Sequence, residues 1–251
     1  MTRDKIIAHI TAAIEPLPYA HALWLEGADG SGTVDEYSDL DFWLDFDDEY
    51  ETEIISAVEN ALKELAPIDY KYIMQHSHPK IRQRIYHLSG TSEYLMIDFC
   101  WQFHSRDSFP YINGDKIEAA KILFDKSNII YYKDYDYADF AEDNAAILEK
   151  CKYRFTQHSR VLKYVHRNRF AETFAHYQQY VIEPLVDVLR LIHTPAHADY
   201  DLTHISQHIP ADELERLEYF LRVATIEDIE KKTHEAQTWF DKLATILQIN
   251  W

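Results

Sequence analysis

The chain has 251 residues, which is enough for one large domain or two ordinary ones. Apolar residues make up 47% and charged residues 27%, so the composition excludes a disordered chain. The formal net charge of −18 argues against a protein that binds long nucleic acid; it is compatible with a small cationic ligand and equally with solubility alone.

No run of about 18 apolar residues is present, so we expect no membrane span and no membrane partner. The N-terminus is amphipathic and does not resemble a signal sequence. Two cysteines, Cys100 and Cys151, predict free thiols in a reducing cytoplasm.

The first half of the chain alternates between helical and strand-like patterns. Helical spacing of apolar residues or period-two alternation predicts each element. The predicted elements are a helix over 3–15, strands over 22–25 and 39–46, a helix over 51–65, strands over 68–74, 84–88 and 94–103, and a short strand at 129–132. The strand YLMIDFCWQF, over 94–103, is apolar on both faces, which predicts a central position in a sheet.

The second half is helical almost throughout, and no glycine follows Gly114. Pro184 is expected to kink or divide the first long helical stretch. Two more helices are predicted over 211–223 and 226–248, the latter beginning at Thr225 with Asp228 three residues on. The fold class is therefore predicted to be α+β, with a mixed sheet flanked by helices over residues 1–136 and an all-α helical bundle over 137–251.

The stretch EGADGSGTVDEYSDLDFWLDF, over 26–46, concentrates the unusual chemistry. It holds Gly27, Gly30 and Gly32, three of the five glycines in the chain. Glycines let backbone N–H groups approach an anion without a side chain in the way. Asp39 and Asp41 leave the same strand face about 7 Å apart. Such carboxylates repel each other unless a cation lies between them, and Mg²⁺ prefers these hard oxygen ligands.

Asp98 is a carboxylate within the apolar strand over 94–103. A buried carboxylate without a partner costs several kcal/mol or stays protonated, as an order-of-magnitude expectation. A metal ion shared with Asp39 and Asp41 satisfies all three side chains. Excess negative charge then favours a second cation that arrives with a nucleotide.

Here the residues resemble a known signature. The stretch from Gly27 to Asp41 is similar to the motif of the nucleotidyltransferase fold, the DNA polymerase beta superfamily, and most to its aminoglycoside and lincosamide nucleotidyltransferases. Gly27, Gly32, Ser38, Asp39 and Asp41 fall on the motif. Asp98 takes the place of the family's third aspartate. The family layout, a nucleotidyltransferase-type mixed sheet followed by a helical domain on the substrate side, covers essentially the whole chain.

The resemblance implies a Mg²⁺-dependent transfer of a nucleoside monophosphate from a nucleoside triphosphate to a hydroxyl of a small acceptor, with release of pyrophosphate. Asp39, Asp41 and Asp98 would be the metal ligands and catalytic residues: Asp39 and Asp41 would bind Mg²⁺ and the triphosphate, and Asp98 would complete the metal site or act as base on the acceptor hydroxyl. Two Mg²⁺ ions would accompany the nucleotide. The implied nucleotide-binding residues are Gly27, Ala28, Ser31, Gly32 and Ser38.

Two positions depart from the family pattern. Ala28 replaces a serine that contacts phosphate, and Ser31 stands where a basic residue is common. Ser31 could offset the first loss through its own hydroxyl. If it does not, the chain is a degenerate module that binds a nucleotide or a partner without catalysis.

Three further interpretations stay open. Asp39 and Asp41 could face water from an exposed edge strand, which leaves Asp98 unexplained. Arg160 and His166 resemble the Arg–His motif of HEPN-type ribonucleases, although this spacing is common in helices. The histidine pairs His193/His197 and His204/His208 have zinc-ligand spacing but no accompanying glutamate.

Overall fold

The computed structural model describes residues 1–107 and 110–249, with the backbone alone at positions 248 and 249. The chain divides into two compact units, Met1–Tyr135 and Asp136–Trp251. Mixed helix and strand structure occupies the first unit and helices occupy the second, so the α+β class predicted from the sequence is confirmed. No helix in the described part of the chain is long and apolar enough to cross a membrane.

The first unit contains eight strands and three α-helices among its described residues. The strands are β1 (Ala20–Leu25), β2 (Leu40–Phe46), β3 (Ile68–Met74), β4 (Ile81–Leu88), β5 (Ile97–Phe103), β6 (Tyr111–Ile112), β7 (Lys121–Asp125) and β8 (Tyr132–Lys133). The helices are α1 (Arg3–Ile14), α2 (Gly27–Ser31) and α3 (Glu51–Leu65).

Six of these strands form a mixed sheet in the order β3-β4-β5-β2-β1-β7. The strands β2 and β5 lie side by side in parallel at its centre, and the other pairs are antiparallel. The central position predicted for the strand containing Asp98 is therefore confirmed. The edge-strand interpretation is wrong for the strand that carries Asp41, because β2 has a neighbour on each side, whereas Asp39 lies before β2 and is exposed.

One face of the sheet is apolar and carries the core of this unit. The period-two alternation of β2 turns Leu40, Phe42 and Leu44 to this face, where they are fully buried. Ile10 of α1 and Val58 of α3 belong to the same buried cluster. The opposite face, which carries Asp41, Trp43 and Asp45 of β2, is called the polar face below.

The second unit is helical, and its apolar residues form a separate buried cluster. Its helices are α4 (Ala141–Phe155), α5 (His158–Val165), α6 (Phe170–Tyr177), α7 (Glu183–His193), α8 (Ile205–His208), α9 (Ala211–Leu221) and α10 (Ile226–Ile249). Pro184 lies in the first turn of α7, directly after a π-helical segment, and the backbone stays helical on both sides of it, so it does not divide the stretch. The stretch is divided instead after α4 and after α5. Asp228 N–H donates to Thr225 Oγ1 at 3.1 Å at the start of α10.

The short strand predicted at 129–132 is wrong in its bounds, since β8 covers Tyr132–Lys133. Two strands were not predicted, β6 and β7. The glycine stretch also contains one unpredicted helical turn, α2. These segments are short, and their sequences carry little periodicity from which to predict them.

Candidate functional site

The candidate site lies at one end of the polar face, where β2 and β5 both begin. The parallel register pairs Asp41 of β2 with Asp98 of β5. Both carboxylates are half-buried. Gln83 of β4 donates its amide to both oxygens of Asp98, at 2.9 and 2.8 Å. Two acidic side chains from distant parts of the sequence are thus neighbours on adjacent central strands.

Asp39 lies just before β2 and is exposed. Its negative charge raises the pKa of both Asp41 and Asp98. All three predicted carboxylates are therefore close enough to influence one another electrostatically.

Asp41 has the most perturbed carboxyl group of the three. Burial is the largest cause, followed by the charges of Asp39, Asp98 and Glu26, and together they raise its pKa from 3.8 to about 7. Burial also raises the pKa of Asp98, against the lowering effect of its hydrogen bonds from Gln83. A titratable group at this end of the sheet is thus poised near neutral pH, as is common at functional sites.

Glu26 is a fourth acidic group that the sequence motif did not single out. Its backbone N–H donates to the Asp41 carbonyl at 3.0 Å. Tyr111 and Trp24 donate hydrogen bonds to its side chain. Burial nevertheless raises its pKa, and its charge contributes to the raised pKa of Asp41. Position 26 directly precedes the glycine motif, which is the signal that could have identified it.

Gly27 is required by close packing against Asp41. Its φ of +55° lies in the left-handed region, and a Cβ at this position would come within 2.2 Å of Asp41 Oδ2. The backbone of the glycine turn therefore lies directly against a candidate metal ligand.

Gly30 and Gly32 are needed in the motif for reasons that do not involve Asp41. A Cβ at Gly30 would lie 1.8 Å from the Ala119 carbonyl oxygen, so this glycine serves packing and not the approach of an anion. Gly32 ends α2 in the left-handed conformation with φ of +74°.

The hydroxyl groups of the turn bond within the turn. Ser31 Oγ donates to the Gly27 carbonyl at 2.9 Å, and it lies 2.8 Å from Thr33 Oγ1. Ser38 Oγ donates to Asp35 Oδ1 at 2.9 Å. Ala28 lies inside α2 and offers no side-chain hydrogen bond. The five residues predicted to bind nucleotide thus flank Asp39 and Asp41 in the chain, and their role stays a prediction.

Two basic residues beside this turn were missed by sequence reasoning. Arg3 of α1 forms an ion pair with the buried Asp29 of α2, and Lys121 of β7 pairs with the same carboxylate at 2.9 Å. Arg3 also donates to the backbone carbonyls of Ser38 and Asp39. No local motif indicates this pairing, because the two basic residues are far apart in the sequence.

A cavity of about 490 Å³ opens beside the carboxylates. It is lined by Asp39, Tyr70, Ile85, His87, Glu93, Met96 and Asp98. Three carboxylates, three large apolar or aromatic side chains and His87 thus line one open space, and the excess of acidic groups suits a ligand that is positively charged and partly apolar.

The ligand atoms of Asp39, Asp41 and Asp98 do not form a closed cage. Across residues 1–107 and 110–249, the group of three histidine, cysteine or acidic side chains whose ligand atoms all lie within 4.8 Å of one another is His21, Asp45 and His104. That group lies at the other end of the polar face and was not predicted.

The alternative motifs in the second unit have ordinary structural surroundings. Arg160 of α5 donates to Gln157 at 3.1 Å and lies over the Tyr180 ring. His193 lies 2.6 Å from Glu213, in a histidine–carboxylate pair. His208 Nδ1 lies 2.8 Å from the buried Arg190 guanidinium. None of these histidines belongs to a three-ligand group within the described residues. Cys100 and Cys151 are free and buried, as predicted.

No family model matches the chain, and no curated protein matches it. Among solved structures, spectinomycin adenyltransferase AAD(9) from Enterococcus faecialis, crystallised with ATP and spectinomycin, is similar at a TM-score of 0.34 and 9% identity, over 98% of this chain and all of that one. JHP933 from Helicobacter pylori is similar at a TM-score of 0.30 and 12% identity, over 98% of this chain and 95% of that one.

Proposed function

We propose that the protein is a Mg²⁺-dependent nucleotidyltransferase. It transfers a nucleoside monophosphate from a nucleoside triphosphate to a hydroxyl of a small, cationic acceptor and releases pyrophosphate. The observation that carries this proposal is the pairing of Asp41 and Asp98 in register on the two central parallel strands, with Asp39 beside them.

The carboxylates fit a hard divalent cation. Burial and like charge raise the pKa of Asp41 to about 7, and a bound cation would relieve both the repulsion and the desolvation cost. All three side chains offer oxygen atoms, which are the donors that Mg²⁺ prefers. Without a cation, the like charges of these carboxylates keep their oxygen atoms apart. We expect the three side chains to move closer together when a cation binds between them.

Asp39, Asp41 and Asp98 would hold the ions. When bound, Mg²⁺ withdraws charge from the transferring phosphoryl group and lowers the barrier to displacement. Asp98 has a second role open to it, because its raised pKa makes it a better proton acceptor for an acceptor hydroxyl at neutral pH.

The glycine turn and its basic neighbours are the proposed contacts for the triphosphate. The turn residues are Gly27, Ala28, Ser31, Gly32 and Ser38. The Lys121 side chain is about half exposed beside α2, which supports a phosphate contact in place of the basic residue that Ser31 replaces.

The cavity beside Asp98 is the proposed acceptor subsite. Its carboxylates, Asp39, Glu93 and Asp98, favour a positively charged acceptor. Tyr70 and Met96 offer apolar surface for a ring system.

The test is a pyrophosphate-release assay with each of the four common nucleoside triphosphates, Mg²⁺ and a panel of polyhydroxylated amines. We expect release that depends on Mg²⁺ and on an acceptor, and that is lost in Asp41→Asn. Glu64→Gln is the matched control, because this exposed acid of α3 pairs with His9 and is not part of the site. Release that persists in Asp41→Asn would contradict the proposal.

A binding module without catalysis is the second candidate. It is favoured by Ala28, which has no hydroxyl, and by Ser31, whose hydroxyl donates to the backbone of its own turn. Calorimetry separates the two candidates: nucleotide binding in the presence of Mg²⁺, without pyrophosphate release across the acceptor panel, supports the module.

A further inference from the structure

At the end of the polar face away from Asp41 and Asp98, three neighbouring strands each bring one polar side chain, either from the strand itself or from the residue directly after it. His21 lies on β1, Asp45 on β2, and His104 directly after β5. The strand order β5-β2-β1 makes these strands adjacent. His104 N–H donates to the Phe46 carbonyl at 2.8 Å, which keeps the end of β5 against β2. Three residues far apart in sequence thus meet at one place.

A β-bulge sets the position of His21. On β1, Ala20 pairs with Phe46 and Ala22 pairs with Asp45, so His21 is the extra residue between two consecutive partners. A bulge of this kind re-aims a side chain and is found at functional positions. Here it leaves the His21 side chain next to Asp45. In a regular strand, the residue beside Ala22 would point to the opposite face of the sheet.

The side chains are within reach of a common ligand. His104 Nδ1 lies 2.7 Å from Asp45 Oδ1, and the His21 and His104 rings stack with centroids 3.9 Å apart. One ligand atom from each of His21, Asp45 and His104 lies within 4.8 Å of the other two. A tetrahedral zinc ion with bonds of about 2.0–2.1 Å holds its ligand atoms about 3.3 Å apart. The limit of 4.8 Å exceeds this spacing, so any ligand atoms farther apart than about 3.3 Å must approach each other when the ion binds.

The surroundings provide the supporting contacts that metal sites use. Asp45 is 1% exposed, and Gln102 donates to its second oxygen at 2.7 Å. His21 Nδ1 lies 2.9 Å from Ser127 Oγ, which fixes the orientation of this ring. Such outer contacts orient metal ligands. His104 is 40% exposed, so solvent and ions can reach the group.

We propose that His21, Asp45 and His104 form a binding site for a transition-metal dication, Zn²⁺. Asp47 lies outside this group of three, and its Oδ1 is 2.8 Å from His21 Nε2, a hydrogen bond that the metal would replace. Two imidazoles with one or two carboxylates suit Zn²⁺, whereas Mg²⁺ prefers oxygen ligands alone.

The proposed zinc site is separate from the carboxylates that begin β2 and β5. Asp45 lies four residues after Asp41 on one strand, which separates the two by about 13 Å. The zinc site does not depend on the proposed transferase activity. Its expected role is to hold β1, β2 and the end of β5 together, so the bound metal should stabilise the fold. The first measurement is therefore metal binding, and the second is the stability of the protein with and without the metal.

The test is a titration of the metal-stripped full chain with Co²⁺, whose visible absorption reports tetrahedral coordination, followed by displacement with Zn²⁺. We expect one saturable site with Co²⁺ bands that Zn²⁺ removes and excess Mg²⁺ does not. Zn²⁺ is also expected to raise the melting temperature.

The variants His21→Gln and His104→Gln are expected to weaken Zn²⁺ binding by at least about tenfold, since loss of even an outer contact costs about 10- to 100-fold. His104→Gln decides the question if His21→Gln fails to fold, because His104 is exposed. The control is His9→Gln, which removes the histidine of an exposed pair with Glu64 at 3.1 Å. The double variant Asp41→Asn, Asp98→Asn tests the separation of the two sites.

Unchanged binding in His9→Gln and in the aspartate double variant, with weakened binding in His104→Gln, supports the proposal. Three results would overturn it: no saturable binding by the wild type, equal affinity of the wild type and His104→Gln, or loss of the Co²⁺ bands in the aspartate double variant alone.

Discussion

The two ends of the polar face are built from the same pair of strands but have different electrostatics. At one end Asp41 faces Asp98, and the nearby charges of Asp39 and Glu26 are negative. At the other end the buried Asp45 has a hydrogen bond from Gln102 and lies against His104. Both ends hold a carboxylate that is largely removed from water, but only at the second end does that carboxylate bond to an imidazole nitrogen.

The contrast shows that the strand alternation places the acids and the neighbouring strands decide what they can do. Asp41 and Asp45 leave β2 on the same face because four residues separate them. A group of carboxylates suits a hard cation such as Mg²⁺, and a carboxylate beside two imidazoles suits Zn²⁺. One strand can thus serve two kinds of cation.

The largest expected effect is on turnover at the Asp41 end. Asp41→Asn and Asp98→Asn each replace a carboxylate with a neutral amide of similar shape, so the proposed cation loses a charged ligand. We expect nucleotide-dependent turnover to fall by on the order of a thousandfold, comparable to the loss of a main electrostatic group in other enzymes. Circular dichroism checks that the fold is retained. Turnover close to that of the wild type in either variant would remove the Asp41 end from the mechanism.

Gly27→Ala tests the close packing of the glycine turn on Asp41. The new methyl group would lie 2.2 Å from Asp41 Oδ2 and must displace the carboxylate. Because a misplacement of about 1 Å can cost about a hundredfold in rate, we expect a loss of that size in turnover.

Gly114→Ala is the matched control, at a glycine outside the proposed site. Its φ of +77° imposes a similar backbone strain, of about 1–2 kcal/mol, but no atom lies within 4 Å of the added carbon. Equal turnover of the two alanine variants would show that backbone strain, and not contact with Asp41, is what matters.

The raised pKa of Asp41 makes the stability of the metal-free protein depend on pH. A carboxyl group whose pKa is about 7 in the folded protein and 3.8 otherwise binds its proton more tightly when folded. Its contribution to the free energy of unfolding is therefore full below about pH 4 and is lost as the pH rises to about 7.

The variant Asp41→Asn has no ionisable group at this position, so its stability does not fall in this way as the pH rises. We expect the variant to be more stable than the wild type at pH 8 in EDTA, by on the order of 2 kcal/mol after allowance for solvent screening, with the difference shrinking as the pH falls toward 4. Urea unfolding at several pH values measures it. A wild type that is as stable as the variant at pH 8 would show that the Asp41 end carries no such electrostatic cost.

The smallest expected effect concerns Gln83, which supports Asp98 from β4. Gln83→Leu removes both amide hydrogen bonds to the carboxylate, so the pKa of Asp98 should rise further. Because the ionised form is needed, we expect turnover at neutral pH to fall by about tenfold and to recover as the pH is raised. A uniform loss at all pH values would indicate a packing effect instead.

Much of the fold could be predicted from the sequence because its main elements have strong periodicity. The bounds of α3, Glu51–Leu65, agree with the amphipathic pattern, and the apolar run of β5 is central as predicted. The edge strand β7 was missed because Lys121–Asp125 is short and only one of its residues is buried, without clear alternation. A periodic pattern can be recognised within a single segment of sequence. A short edge strand instead forms because a neighbouring strand is available to pair with it, which its own sequence does not reveal.

The candidate sites divide in the same way. Asp39 and Asp41 belong to one local motif, and Asp98 was identifiable because an acid in an apolar strand needs a partner. His21 and His104 have no such signal. They approach Asp45 only through the strand order and the bulge in β1, which are properties of the folded sheet. The ion pairs of Arg3 and Lys121 with Asp29 arise in the same non-local way.

The central claim is that Asp39, Asp41 and Asp98 hold a divalent cation together with a nucleotide. Electron paramagnetic resonance of Mn²⁺, used in place of Mg²⁺, measures this directly in the presence of a non-hydrolysable nucleoside triphosphate. We predict that the wild type binds Mn²⁺ with the nucleotide and that the double variant Asp41→Asn, Asp98→Asn binds it at least about tenfold more weakly. Equal Mn²⁺ affinity in the two proteins would contradict the account.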